Sequence, residues 1–208
     1  MSEPIVLHAG STDPNAPVAL LLHGRGSNEQ DIINLAQHLP AEFSYFAIRG
    51  GVTVGPNAYA WFENRGIGRP TPASLRHELD WFRGWLDPLV GFDRPIIPIG
   101  FSGGAAFAGG LILDAPERFA GAAVLYGTLP FDAGVPTTPG RLTGVPIFHA
   151  VGELDNVIPA ELLSATHDYL SGPSDATLTY HSTHVGHMID PVIIPEITEW
   201  MRTVATTR

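Results

Sequence analysis

Short apolar runs alternate along this chain with segments of helical period, and that rhythm constrains its fold more than any other feature. "VALLLH" (18–23) is apolar without a polar alternate, the pattern of a strand buried on both faces. In "SNEQDIINLAQHL" Ser27 and Gln30 are spaced as a capping box, and Ile32, Leu35, Ala36 and Leu39 fall on one helical face. "FSYFAIR" (43–49) reads as the next strand. In "SLRHELDWFRGWLDPLV" the residues Leu75, Leu79, Phe82, Leu86 and Leu89 recur in steps of three and four, which predicts an amphipathic helix. The strand "IIPIG", an Ala/Gly-rich helix after Ser102 and the strands "GAAVLYG" and "PIFHAVGE" follow. A helix near 160–171, the strand "ATLTYH" and a final helix near 191–204 complete the series. Such alternation predicts a mostly parallel central sheet with helices on both faces. At 208 residues the chain suits a single domain, 1–208.

Two stretches break the rhythm. Residues 49–72, "RGGVTVGPNAYAWFENRGIGRPTP", form a long connection rich in Gly and Pro that still carries Tyr59, Trp61 and Phe62, so a loop folded onto the body is expected. Residues 128–144 have no helical period and are too few for a separate cap domain.

Composition narrows the function. Hydrophobic residues make up 44% and charged residues 15%, a globular balance. A formal net charge of −10 without a basic cluster argues against nucleic acid and polyanionic partners. The absence of cysteine excludes disulfides, thiolate metal sites and a thiol nucleophile. No apolar run reaches the roughly 18 residues of a membrane span. "MSEPIVLHAG" lacks the basic and apolar regions of a signal peptide, and a cytoplasmic location is expected.

Gly100-Phe101-Ser102-Gly103-Gly104 fits G-x-S-x-G and lies between a predicted strand and a predicted helix, where that motif has to lie. A nucleophile on so tight a turn needs neighbours without bulk. The helix that follows offers unpaired N–H groups to a developing oxyanion. Taken alone the pattern also suits plain close packing. A serine nucleophile needs a base and an orienting acid. "VGELDNVIP" places Asp155 in a turn after a strand, and "HSTHVGHMIDP" places His187 in a loop after the last strand. Alone, Asp155 reads as a turn cap and His187 as a loop histidine. Together the order Ser102, Asp155, His187, each at the carboxyl end of a different strand, is that of the α/β-hydrolase triad. "LLLHGRGSNEQD" adds a His-Gly-x-Gly turn after an early strand, where the N–H of Arg25 and that of Gly103 would converge on a tetrahedral oxygen.

On "LLHGRGSNEQD", "GFSGGA", "LYGTLP", "GELDNVIP" and "HVGHMIDPVIIPEITEW", spanning about residues 18–200, the chain resembles the phospholipase/carboxylesterase family of α/β-hydrolases. That resemblance implies an α/β-hydrolase fold without a cap domain and a serine esterase acting on small-molecule esters. It also implies the same Ser102, Asp155 and His187. Gly103 stands where the family commonly has Gln. Arg25 stands where the acyl-protein thioesterases tend to be apolar, which favours a carboxylesterase-like branch.

The remaining expectations concern the pocket. Trp61, Phe62, Tyr126, Leu129, Val157, Ile158 and Met188 lie beside the inferred loops and are candidates for an apolar acyl pocket, with core packing the alternative for each. His23 is expected to support the oxyanion loop by hydrogen bonding, and the Arg25 side chain is either incidental or a clamp for a carboxylate or hydroxyl. No metal site is expected, since His184 and His187 lack a companion carboxylate pattern, and no cofactor is implied. A homodimer is compatible with the sequence, where the apolar patches that would decide it are not legible. Hydrolysis of thioesters, lysophospholipids or lactones by the same residues is the enzymatic alternative. A non-catalytic binding protein on this fold is the alternative from another class.

Overall fold

The computed structural model describes residues 3–91 and 93–206. In chain order its elements are β1 (Val6–Gly10), β2 (Val18–Leu22), the one-turn α1 (Glu29–Ile32), β3 (Ser44–Ile48), β4 (Val52–Gly55), β5 (Ala58–Ala60), β6 (Asn64–Gly66) and β7 (Arg69–Pro70). There follow α2 (Pro72–Leu89), β8 (Ile96–Phe101), α3 (Gly103–Asp114), β9 (Ala122–Leu125), β10 (Pro146–Gly152), α4 (Ala160–Ser171), β11 (Thr177–Thr183) and α5 (Ile194–Ala205).

Seven strands form one sheet in the order β1-β3-β2-β8-β9-β10-β11. Only β1 runs antiparallel to its neighbour; the other pairs are parallel. All five residues of β2 are buried because the sheet is covered on both sides. Val18, Leu20 and Leu22 face a core shared with α2 and α3, while Ala19 and Leu21 face one closed by α5. Leu75, Leu79, Phe82 and Leu86 form the predicted buried stripe of α2, and Leu89 at its end is exposed. Helix α3 is buried nearly throughout, sandwiched between sheet and α2, which explains its Ala/Gly composition. A Cβ at Gly104 would fall on the carbonyl oxygen of Leu22, and one at Gly109 would come within 2.6 Å of Leu129. The fold is that of an α/β-hydrolase without a cap domain, as the sequence led us to expect.

Several details depart from the sequence reading. Strand β1 was not anticipated: as an edge strand it leaves Leu7 and His8 exposed, so no alternation marks it. The helix expected over 27–39 is a single α-turn followed by a 3-10 segment, Ile33–His38. Its cap is Asn28, whose side chain accepts from the N–H groups of Gln30 and Asp31, while Ser27 donates to Asp31 instead. The long 49–72 connection contains two small antiparallel hairpins, β4–β5 and β6–β7. No helix among the described residues is long and apolar enough to cross a membrane.

Candidate active site

Strand β8 delivers Ser102 to a turn with φ 55° and ψ −115°, a region that side-chain-bearing residues rarely occupy. The surroundings hold it there. Its N–H donates to the Leu125 carbonyl at 3.0 Å, and its own carbonyl accepts from Ala105 and Ala106 at the start of α3. A Cβ at Gly100 would collide with the carbonyl of Gly104, and one at Gly127 would lie 2.7 Å from the carbonyl oxygen of Ser102. These glycines are what allow strand, turn and helix to close up around the serine.

Asp155 sits in the turn after β10. Its Oδ1 accepts from the N–H groups of Val157 at 2.9 Å and Ile158 at 3.1 Å, leaving Oδ2 for His187 Nδ1 at 2.7 Å. Burial works to raise its pKa, but hydrogen bonds from His187 and the two N–H groups outweigh it, and the carboxyl ends below its ordinary value. The loop after β11 carries His187, whose Nε2 lies 2.7 Å from Ser102 Oγ. A carboxylate at Nδ1 fixes the proton there and turns the Nε2 lone pair toward the serine hydroxyl, which donates. The ring also rests against Phe101, centroids 5.1 Å apart. Loop and turn are joined by the Leu154 N–H, which donates to the Val185 carbonyl at 3.0 Å.

The third wall is the turn after β2. His23 is fully buried; its Nδ1 donates to the Gly24 carbonyl at 2.8 Å, and its Nε2 accepts from the Gly50 N–H at 3.0 Å. Burial above all holds its pKa below the ordinary imidazole value, so the ring is neutral and serves as a strut, as expected. Gly26 donates to the Tyr59 carbonyl at 2.8 Å and Tyr59 N–H returns a bond to Ser27 at 3.0 Å, which ties this turn to β5. A Cβ built on Gly103 would lie 3.2 Å from the backbone nitrogen of Arg25, so the two residues face each other closely. Neither N–H has a hydrogen-bond partner among the described residues. That leaves two donors free beside Ser102, the requirement for stabilising an oxyanion.

A cavity of about 290 Å³ opens over Ser102, Gly103 and His187. Of the seven residues considered for its walls, Phe62, Val157 and Ile158 line it. Trp61, Tyr126 and Leu129 do not: each is at most 1% exposed and belongs to the core. Trp61 stacks on Phe107 with centroids 4.6 Å apart, Leu129 packs on Gly109, and the Tyr126 hydroxyl meets Thr183 Oγ1 at 3.0 Å. Met188 is exposed and does not line the cavity. Sequence reasoning missed Asn64, Ile67, Gly68, Ala106 and Thr128, most of them carried by the β6–β7 hairpin and its turn. The only available signal was the "NRGIGRP" turn itself. His184 flanks the loop with its Nδ1 3.0 Å from a Glu153 carboxylate oxygen. A larger, more open depression of about 410 Å³ near Pro116, Arg141 and Pro146 lies at the opposite ends of the strands and contains no histidine.

A family model described as phospholipase/carboxylesterase matches residues 8–205. The chain belongs to the phospholipase/carboxylesterase family. Within the wider hydrolases it is similar to NocK of Nocardia uniformis subsp. tsuyamanensis, provisionally named an esterase, at 31% identity over 174 residues. That match covers 76% of this chain and 46% of NocK, so the chain spans less than half the length of that relative. It is also similar to MhqD of Bacillus subtilis (strain 168), provisionally named a hydrolase, at 26% identity over 89% of this chain and 92% of MhqD. Among solved structures, the Bacillus cereus carboxylesterase superimposes with a TM-score of 0.83 at 24% identity, covering 97% of this chain and 94% of that one. This last likeness shows that the two chains share a fold.

Proposed function

We propose that this protein is a serine carboxylesterase that hydrolyses small carboxylic esters through an acyl-enzyme on Ser102. The observation that carries the reading is the relay from Ser102 Oγ to His187 Nε2 and from His187 Nδ1 to Asp155 Oδ2, both 2.7 Å, at the floor of the cavity.

In this mechanism Ser102 Oγ attacks the ester carbonyl carbon and its proton passes to His187 Nε2. Asp155 keeps the ring in the accepting tautomer and stabilises the imidazolium, its own carboxylate remaining ionised. The N–H groups of Arg25 and Gly103 receive the negative oxygen of the tetrahedral intermediate. The carbon–oxygen bond to the alcohol then breaks, and His187 returns the proton to the leaving alkoxide. Water attacks the acyl-enzyme, gives its proton to His187, and the collapse of the second tetrahedral intermediate frees the acid and reprotonates Ser102. The described residues supply no cap over the cavity, so small or flexible esters suit it.

Covalent labelling with a fluorophosphonate tests the proposal. The wild type is expected to label and Ser102→Ala is not; a folded wild type that stays unlabelled would overturn it. Asp155→Asn, which presents the wrong partner to Nδ1, is expected to lower kcat on p-nitrophenyl acetate by about 10³–10⁴.

A further inference from the structure

Every cationic side chain in this chain is an arginine, eleven in all, and ten of these lie among the described residues. Six of the ten form ion pairs with Asp or Glu. Three more, Arg65, Arg94 and Arg141, donate to backbone carbonyls. Arg25 is the one guanidinium among the described residues that meets no acceptor in the protein. Arg25 is solvent-exposed and lines the cavity above Ser102, whose walls include no Asp or Glu. Asn64 lines the same cavity, and its Oδ1 is buried without a hydrogen-bond donor. Buried amide oxygens are normally paired, and in a binding cavity a few such polar groups orient the ligand against apolar walls. Here those walls are Phe62, Ile67, Val157 and Ile158.

We propose that the Arg25 side chain recognises a carboxylate on the substrate, and that the preferred substrates are half-esters of short dicarboxylic acids. Asn64 Oδ1 accepts a hydrogen bond from a hydroxyl or amide N–H on the same molecule. The inference rests on the esterase reading of Ser102 and deepens it. A guanidinium presents a planar fork that matches a carboxylate through two parallel N–H donors. The Arg25 main chain faces Gly103, the residue after the nucleophile, so the length of one arginine side chain limits how far the carboxylate lies from the scissile carbonyl. That geometry selects short dicarboxylates over long ones. The net charge of −10 opposes an approaching anion only weakly, because charges beyond about 8 Å are screened at physiological salt; selection acts at contact. Hydrolysis adds the hydroxyl of water to the acyl carbon and its proton to the alcohol, releasing a free dicarboxylic acid.

The test compares ethyl hydrogen succinate, glutarate and adipate with the neutral amides of the same shape, followed by ethanol release. The wild type is expected to favour the charged ester by about tenfold in kcat/KM, mainly through KM and less so at high salt. Arg25→Gln should bring the ratio close to one, and Arg25→Lys should restore part of it. Arg25→Glu should shift the preference toward ethyl 4-aminobutanoate. Asn64→Leu should erase discrimination between a hydroxylated half-ester and its deoxy parent. A wild type that labels with fluorophosphonate yet shows no charge preference, or whose ratio survives Arg25→Gln, overturns this inference alone. A folded wild type that does not label overturns the esterase reading beneath it.

Discussion

The indole N–H of Trp61 donates a 2.8 Å hydrogen bond to the backbone carbonyl of His23, fastening the turn that carries Arg25 to the aromatic core. Trp61 is itself wedged against Phe107 and Phe82, on the side of the sheet occupied by α2 and α3. Trp61→Ala is therefore expected to cost about 3–5 kcal/mol in a urea titration. Trp61→Phe keeps most of the apolar contact and loses the hydrogen bond, which costs about 1 kcal/mol. Its kcat on p-nitrophenyl acetate should fall more than its KM rises, because the tether positions the turn that carries the proposed oxyanion donor and lies in the core rather than in the cavity.

Ser102 holds a positive φ of 55° with a side chain attached. In most settings alanine is more stabilising than glycine, but here the order should invert. Ser102→Gly and Ser102→Ala both lose the hydroxyl, so their difference isolates the backbone. Urea midpoints should place the glycine variant about 1–2 kcal/mol above the alanine variant. Equal stabilities would mean that the turn relaxes once the hydroxyl is gone.

Neighbouring glycines should respond differently to a methyl group. At Gly104 the new Cβ would meet the backbone carbonyls of Leu22 and His23, which cannot move without shifting β2. Gly104→Ala should lose about 3 kcal/mol or more, visible in the thermal midpoint. At Gly103 the nearest atom is the Arg25 nitrogen at 3.2 Å, in an exposed turn. Gly103→Ala should stay folded and lose kcat on p-nitrophenyl acetate, since the intruding carbon presses on the proposed oxyanion donor.

His149 is buried in β10, and desolvation pushes its pKa down to about 4, although its Nδ1 donates to the Val124 carbonyl. The unfolded chain protonates this ring near its ordinary value of 6.5 while the native state does not. Stability from the neutral ring is therefore complete above pH 6.5 and is lost as pH falls toward about 4, up to about 3 kcal/mol. His23, depressed in the same direction, adds to the slope. Urea midpoints at pH 7.5 and 5 should differ less in His149→Gln than in the wild type. An unchanged difference would reject the assignment.

What was legible in the sequence follows from where the signals are local. Ser102, Asp155 and His187 each follow a strand in a turn or loop, so their order and context could be read without a single tertiary contact. The pocket could not be read that way. Trp61 and Phe62 are adjacent in the same loop, yet one stacks in the core and the other lines the cavity. Only the path of the 49–72 segment decides between them, and that path depends on hairpins of two to four residues, too short to show a period. Asn64 escaped notice because a polar residue opening a three-residue strand carries no mark of burial. The capping residue moved by one position because Ser27 and Asn28 are both competent caps, and contact between Asn28 Nδ2 and the Asn57 carbonyl settles the choice.

The turn from His23 to Ser27 is pinned at its main chain by Tyr59 and Trp61 and through the buried His23 ring by Gly50, while one side chain within it hangs free. Such a division separates two selective pressures on one codon. Mutation can replace the group presented at position 25 while the amide of that residue stays anchored by bonds it does not make itself. On the proposed function, a lineage built on this scaffold exchanges one class of ester for another by replacing that side chain while the proposed oxyanion amide stays in place.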